Sequence, residues 1–140
     1  MFTRRPSALA LVLAAGLLAA CGRSQTDAPA AARPAGLKIA MIAKSSTNPV
    51  FLSARTGAEA AARELSASLN IPIEIAWMTP PAEDGQVQAQ RIAQAVNEGA
   101  HAILISCSDA GKVTGAIDDA VSRGVAVMTF DSDAPASKRF

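Results

Sequence analysis

The chain is poor in the residues that most often carry reactive chemistry. Its 140 residues include one histidine, two cysteines, one tryptophan and no tyrosine. A metal site needs several ligands close together, and neither His101 nor Cys107 indicates such a group. The loop from Lys44 to Pro49 holds serine, threonine and asparagine where a dinucleotide-binding loop has glycines. The sequence therefore predicts no metal and no nucleotide cofactor.

An excess of charge of one sign is also missing. The chain has 13 Lys and Arg against 12 Asp and Glu, so it is close to neutral. A near-neutral protein lacks the basic surface that nucleic acids require, and we expect no nucleic-acid partner. No apolar run after residue 20 is long enough to cross a membrane. With 50% apolar residues, the remainder is typical of a soluble globular domain.

Residues 1–20 are built like a secretory signal. Arg4 and Arg5 form a positive start, residues 8–19 are apolar throughout, and small residues precede Cys21. The sequence Leu18-Ala19-Ala20-Cys21 resembles the lipobox of bacterial lipoproteins, in which the cysteine is diacylated and the preceding peptide is removed. The resemblance implies a protein held to a membrane by lipid on Cys21, in the periplasm or at the cell surface. The alternative is an uncleaved helix or a plain secretory signal.

The region after Cys21 is expected to be a tether. Residues 21–36 are rich in Ala, Pro, Ser, Gln and Thr, and cannot bury enough apolar surface to offset the entropy of the chain. With Cys21 carrying lipid, Cys107 has no partner, which excludes an intramolecular disulfide. We therefore predict a flexible tether over residues 21–36 and a globular domain over residues 37–140.

Short apolar runs in this domain predict β-strands. Residues 37–43, 102–106 and 125–130 are almost wholly apolar and rich in Ile and Val, as expected of central strands in a parallel sheet. Residues 71–77 instead alternate, with apolar side chains at odd positions and Pro72 between them. This alternation with a proline is typical of an edge strand.

Between the strands, three segments carry helical signals. Each is preceded by a residue that caps helices: Asn48, Asp84, and Ser108 or Asp109. Gly99 and Gly124 suit the ends of the second and third helices. The expected apolar stripes are Phe51, Ala54, Ala58, Ala61 and Leu65, then Ala89, Ile92, Ala93 and Val96, then Val113, Ala116, Ile117, Ala120 and Val121.

The order β-α-β-α-β-α-β defines the predicted fold class. Right-handed crossovers make it an open, doubly wound parallel α/β sheet with the strand order 2-1-3-4. In such a sheet, ligands bind beyond the carboxyl ends of the strands, beside the point where the strand order reverses. The loops that matter most are then residues 44–49, residues 107–111 and the loop that begins at Asp131.

Two separated motifs lie at the ends of the predicted strands. Ile39-Ala40-Met41-Ile42 is followed by Asn48-Pro49-Val50-Phe51, and Val127-Met128-Thr129-Phe130-Asp131-Ser132 comes later. Together they resemble the ribose-type sugar-binding proteins of ABC transporters, which are type I periplasmic binding proteins. The resemblance covers residues 37–140 and includes the order of strands and helices. It implies a non-enzymatic function, in which a small sugar or polyol is captured outside the cytoplasmic membrane and delivered to a permease.

The resemblance also implies ligand-binding roles for individual residues. In the family, the asparagine at Asn48 bonds sugar hydroxyls or shapes its loop, the aromatic ring at Phe51 stacks on the sugar, and the carboxylate at Asp131 accepts hydrogen bonds from hydroxyls. Amide, aromatic and carboxylate groups suit these contacts chemically. Ser132 stands where ribose-binding members carry arginine, and Val50 where a second aromatic residue is common, so the ligand need not be ribose.

Each candidate has a structural alternative. Asn48 and Asp109 are also expected as helix caps, Phe51 as a core residue under the first helix, and Asp131 as the cap of a turn. As ligand contacts, Asp109 would add a carboxylate, and Ser106, Ser108 and Ser132 would add hydroxyls.

Other classes of protein share this topology. The alternatives are a small extracytoplasmic α/β enzyme and a receiver-like module, but a receiver needs acidic residues after the first strand, where Lys44 and Ser45 stand. A serine-histidine-acid arrangement is not indicated, because His101 lies at the wrong end of its strand. A sugar-responsive repressor would begin with DNA-binding helices rather than a signal. Because the family has two lobes and residues 37–140 match part of the first, we expect an incomplete first lobe and a fragment of a longer protein.

Overall fold

The structure is a computed structural model that describes residues 35–140. The predicted signal, Cys21 and nearly all of the predicted tether lie outside the described residues. Four strands and three helices alternate along the described part of the chain: β1 (Leu37–Ile42), α1 (Pro49–Leu69), β2 (Ile73–Trp77), α2 (Gly85–Asn97), β3 (Ala102–Ile105), α3 (Ala110–Ser122) and β4 (Ala126–Thr129). None of these helices is long and apolar enough to cross a membrane.

The four strands form one parallel sheet in the order β2-β1-β3-β4. This confirms the predicted fold class and strand order. In the register, Ile39 of β1 pairs with Ile75 of β2 on one side and with Ala102 of β3 on the other. Because β1 and β3 have neighbours on both sides, they hold the most deeply buried residues of the sheet, and Ile42 and Ile103 are fully buried.

The helices cover the two faces of the sheet differently. The main core lies between the sheet and the pair α2 and α3, with Ile92 and Ile117 packed against Ile42 and Ile103. The helix α1 lies on the opposite face and packs mainly against β2. On that face Met128 of β4 is 53% exposed.

The helix ends match the capping signals of the sequence. Asn48, Asp84 and Asp109 are the N-caps of α1, α2 and α3. Of the two candidates for the start of α3, Asp109 and not Ser108 is therefore the cap. Gly99 and Gly124 follow the last turns of α2 and α3 with φ of 78° and 83°, a conformation that favours glycine.

The predicted apolar stripe of α1 is partly wrong. Ala61 and Leu65 are exposed, whereas Ala62 and Ser66 face the sheet. The Ser66 hydroxyl oxygen accepts a hydrogen bond of 2.9 Å from the backbone N–H of Ile73, and this contact fits the orientation of the helix against the edge strand. In α2 the same kind of shift exposes Ala93 and buries Ala95.

Candidate functional site

Three groups converge on one oxygen of Asp131 at the carboxyl edge of the sheet. The Ser106 hydroxyl, directly after β3, donates a hydrogen bond of 2.7 Å to Oδ2 of Asp131. The Lys44 ammonium, directly beyond β1, lies 3.2 Å from the same oxygen, and the Ser132 hydroxyl donates to it at 3.3 Å. Within residues 35–140, no hydrogen bond engages Oδ1. The Asp131 side chain is 45% exposed, so this carboxylate is held in one orientation and open to a ligand.

The electrostatics of this cluster keep the carboxylate ionised. The hydrogen bond from Ser106 is the largest cause that lowers the pKa of Asp131 below its ordinary value, and the contact with Lys44 is the next. An ionised carboxylate is purely an acceptor of hydrogen bonds, while the ammonium of Lys44 is purely a donor. The site therefore presents an acceptor and a donor side by side.

A sharp backbone turn carries Asp131 to this position. Its φ is 59°, and the Ser132 N–H donates a hydrogen bond of 2.6 Å to the carbonyl oxygen of Phe130. A hydrogen bond from the N–H of one residue to the C=O of the residue two positions earlier closes a γ-turn. Because the central residue, Asp131, has positive φ, this is the rarer and more strained type of γ-turn. Aspartate tolerates positive φ better than most residues, although such a conformation costs about 1–3 kcal/mol. The turn directs the Asp131 side chain back toward Ser106, which directly follows the neighbouring strand β3.

Gln88 ties together the strand ends that form the site. Its side chain is fully buried, and its amide nitrogen donates to the carbonyl oxygens of Ala43 at 3.0 Å and Ser106 at 2.7 Å. Its amide oxygen accepts from the backbone N–H of Ser108 at 2.8 Å. One side chain of α2 thus satisfies three backbone groups in the loops after β1 and β3.

The sequence-based candidates occupy different positions relative to this cluster. The Ser132 hydroxyl donates to Asp131, its neighbour in the sequence. Asn48 and Asp109 act as helix caps, with their side-chain oxygens accepting from Val50 at 2.9 Å and Lys112 at 3.2 Å. As ligand contacts, all of these residues remain predictions.

Phe51 occupies a packing position. It is 5% exposed, and its ring lies 6.5 Å from that of Phe130 in an edge-to-face arrangement. These contacts favour the core interpretation of Phe51, and its stacking on a ligand remains a prediction.

Sequence reasoning missed the roles of Lys44 and Gln88. A signal for Gln88 was present, because a glutamine four residues before Ile92 falls on the apolar stripe of α2. The contact of Lys44 with Asp131 has no such signal, since it joins the first strand end to the last. Among residues 35–140, no three His, Cys, Asp or Glu side chains are grouped in a way that would hold a metal ion.

Open parallel α/β sheets bind ligands in a crevice beyond the carboxyl ends of their strands, and the oriented carboxylate of Asp131 lies at this edge of the sheet. The chain belongs to the periplasmic binding protein domain family, whose model matches residues 39–140. The fold is that of part of a type I periplasmic binding protein. Membership of this family implies an extracytoplasmic location.

Solved structures of sugar-binding proteins of ABC transporters are similar to this chain. LsrB from Clostridium saccharobutylicum in complex with AI-2 shares 29% identity at a TM-score of 0.62, over 73% of this chain and 30% of LsrB. An ABC transporter solute-binding protein from Burkholderia graminis, in complex with D-arabinose, shares 28% identity at a TM-score of 0.67, over 75% of this chain and 34% of that protein. AraP, an arabinose-binding protein from Geobacillus stearothermophilus, shares 26% identity at a TM-score of 0.62, over 75% and 34% respectively. The chain spans about a third of the length of these proteins.

Proposed function

We propose that this chain forms one side of the ligand site of an ABC-transporter sugar-binding protein, which captures a small sugar or polyol and delivers it to a membrane permease. The half-exposed carboxylate of Asp131, oriented by Ser106 and Lys44, supports this most directly. A carboxylate accepts charge-assisted hydrogen bonds from hydroxyl groups, which are stronger than bonds between neutral groups. Similar proteins that were solved with D-arabinose and AI-2 support the same class of ligand.

The chemistry of the pair Lys44 and Asp131 narrows the expected ligand. Oδ1 of Asp131 accepts a hydrogen bond from one hydroxyl, while the ammonium of Lys44 donates to the oxygen of a neighbouring hydroxyl or carbonyl. Two adjacent oxygen atoms on the ligand satisfy both groups at once. Because the two side chains have opposite charges, the ligand is expected to be neutral. Binding is noncovalent, and no catalytic role is assigned to either residue.

The location of the protein forms a second part of the proposal. A lipid on Cys21 would hold the binding domain near the permease, and two or more acyl chains are needed for stable anchoring. Mass spectrometry of the chain from bacterial membranes should show a diacylglyceryl group on an N-terminal Cys21. The Cys21→Ala chain should leave the membrane fraction. An unmodified Cys21 that is still preceded by residues 1–20 would contradict the anchor.

Ligand binding is testable by NMR titration of the chain with D-arabinose, other neutral sugars and polyols. We expect saturable shifts of the backbone amides of Ser106, Asp131 and Ser132, and the loss of these shifts in Asp131→Ala. Asp119→Ala is a matched control, because Asp119 is a carboxylate on α3 that pairs with Arg123 at 3.8 Å and lies outside the site. Amide shifts that survive in Asp131→Ala would remove this residue from the site.

The same titration separates binding from catalysis. The signals of the sugar should stay those of the unchanged compound during the whole experiment. Conversion of the sugar to a product would favour the enzyme alternative, and the absence of any saturable shift across the panel would contradict the binding proposal.

A further inference from the structure

The outer edge of β2 carries backbone groups that the sheet does not use. In a parallel strand, alternate residues turn their N–H and C=O toward the same neighbour. The C=O of Pro72 accepts from Leu37 at 2.8 Å, and the N–H of Met78 donates to Met41 at 3.0 Å, so the even-numbered residues of this segment face β1. Ile75 and Trp77 therefore face outward, and within residues 35–140 no hydrogen bond outside the strand ladder engages their backbone groups.

A groove runs along this edge. Its volume is about 620 Å³, and its floor is the outer side of β2. Arg55 of α1 lies on one side, with its guanidinium 5.4 Å from the centre of the Trp77 ring. Arg91 of α2 lies on the other side. An exposed strand edge with an accessible groove can pair with a further strand.

The groove holds one acidic and one basic residue, Glu74 and Arg91, that each lack an ion-pair partner in the described part of the chain. Lys38 pairs with Glu98 at 3.4 Å, and Arg55 pairs with Glu59 at 2.7 Å. Glu74 and Arg91 pair with no opposite charge among residues 35–140. The Arg91 guanidinium donates to the amide oxygen of Gln94 at 2.7 Å, but its Nε–H is buried without an acceptor.

The positions of Glu74 and Arg91 are self-complementary. Glu74, Ala76 and Met78 turn their side chains to the α2 face of the sheet, because alternate residues of a strand share a face. Arg91 lines this face of the groove together with Ala76 and Met78. A two-fold axis through Ala76 would exchange the two ends of the strand. It would place Glu74 of each copy opposite Met78 of the other copy, and therefore beside Arg91 of that copy.

We infer that β2 pairs in antiparallel orientation with β2 of a second copy of this chain, about a two-fold axis at Ala76. Ile75 of each copy then exchanges backbone hydrogen bonds with Trp77 of the other, and Glu74 forms an ion pair with Arg91 across the axis. The small side chain of Ala76 allows the two backbones to approach. The contact is isologous, as in most homodimers. This inference is independent of the proposed ligand and goes beyond it.

The opposite edge of the sheet is less accessible for such pairing. The outward C=O of Val127 in β4 accepts a hydrogen bond of 2.9 Å from the backbone N–H of Phe140. Residues near the end of the described chain therefore already contact the outer side of β4. The β2 edge is partly engaged too, since the outward N–H of Ile73 donates to the Ser66 hydroxyl at 2.9 Å. Within the described residues, it is the outward groups of Ile75 and Trp77 that remain for pairing.

Oxidative cross-linking of the full chain in bacterial membranes tests this geometry. In the antiparallel pairing, Ala76 faces itself at a pair without hydrogen bonds, where the distance of about 4.5 Å between Cα atoms suits a disulfide. Ala76→Cys in a Cys107→Ser background should give a covalent dimer on a non-reducing gel. Thr129→Cys, on β4, is the control and should give at least about tenfold less dimer. Equal dimer from both variants, or none from Ala76→Cys, would overturn the inference.

Charge reversal tests the ion pairs. In the Ala76→Cys background, Glu74→Arg or Arg91→Glu should lower the yield of dimer about tenfold, because each change acts twice across the axis. The double variant should restore the yield. Lys112→Glu, at an exposed position of α3, makes the same change in charge away from β2 and should have no effect. Single and double variants with the yield of the parent would contradict the proposed contact.

A zero-length carbodiimide gives a second measurement that does not need the cysteine. In Arg91→Lys, the new amine should become linked to Glu74 of the second copy. Peptide mapping of the dimer band, cut from a denaturing gel, identifies this link. Glu74→Gln should abolish this product. In the dimer band, a link between copies to another carboxylate would show that the copies meet through a different surface.

Discussion

The Lys44 ammonium lies 3.2 Å from Oδ2 of Asp131, the oxygen that also accepts the hydrogen bond from Ser106. This relationship joins the ends of three neighbouring strands. It also divides the carboxylate into one oxygen that the protein holds and one that faces outward.

Ser106→Ala should raise the pKa of Asp131 more than Lys44→Met, because the hydrogen bond from Ser106 is the larger cause of its lowered value. The lowered pKa contributes stability that is present above the ordinary pKa of aspartate and is lost as the pH falls through the folded value. In both variants this loss should therefore be smaller and should be complete at a higher pH. NMR titration of the Asp131 carboxyl carbon measures the shift, with Lys112→Met as the control. A larger rise of the Asp131 pKa in Lys44→Met than in Ser106→Ala would show that the charge of Lys44 is the main cause of the lowered pKa.

Gln88→Leu should destabilise the fold by about 3 kcal/mol or more, because it leaves buried backbone groups of Ala43, Ser106 and Ser108 without partners. Leucine fills a similar volume, so the cost reports hydrogen bonding rather than a cavity. Urea unfolding followed by circular dichroism measures the change. Gln90→Leu, at an exposed position of the same helix, should change the free energy of unfolding by less than about 0.5 kcal/mol. Similar effects of the two substitutions would contradict the role of Gln88.

The same glycine-to-alanine change should have opposite effects at two positions. A Cβ on Gly85 would lie 2.8 Å from Cβ of Asp109 and 3.2 Å from Cβ of Lys112, so Gly85→Ala should destabilise the fold by about 1–3 kcal/mol. A Cβ on Gly57, within α1, meets nothing within 4 Å. Gly57→Ala should stabilise the fold by about 0.5–1 kcal/mol through helix propensity. Thermal unfolding of both variants shows whether each change stabilises or destabilises the fold. If Gly85→Ala is as stable as the parent chain, α2 and α3 must separate easily to make room for the methyl group.

Cys107 should react slowly with iodoacetamide in the folded chain. Cys107 is 4% exposed, and burial, followed by the charge of Asp133, raises the pKa of its thiol above the ordinary value. Since the thiolate is the reactive form, labelling should accelerate by more than about tenfold in urea. Mass spectrometry of the peptide that contains Cys107 separates its labelling from that of Cys21. Rapid labelling at pH 8 without urea would show that the loop after β3 opens readily.

Strong local signals made most of the fold predictable. Central strands such as residues 102–106 are continuous apolar runs, and Asn48, Asp84 and Asp109 mark the helix starts through a local side-chain preference. The rotation of α1 was less predictable. Alanine lies on both of its faces, and the contact of Ser66 with Ile73 depends on where the edge strand lies.

The candidate site was only partly predictable. The position of Asp131 at a strand end follows from topology, because ligands bind beyond the carboxyl ends of parallel strands. Its contact with Lys44 depends on the γ-turn and on a distance between residues far apart in the chain. For Phe51 the sequence does not distinguish two roles, since an aromatic residue near a strand end suits both a ligand contact and the core.

The buried amide of Gln88 has a consequence for how ligand preference could change over evolution. Because it joins the backbones of the loops after β1 and β3 from the interior, the spacing of these two loops does not rest on the side chain of Lys44, which contacts Asp131. Substitutions at Lys44 can therefore alter which small molecule is recognised while these backbone positions stay the same. A single interior residue separates the part of this edge that must be kept from the part that is free to diversify.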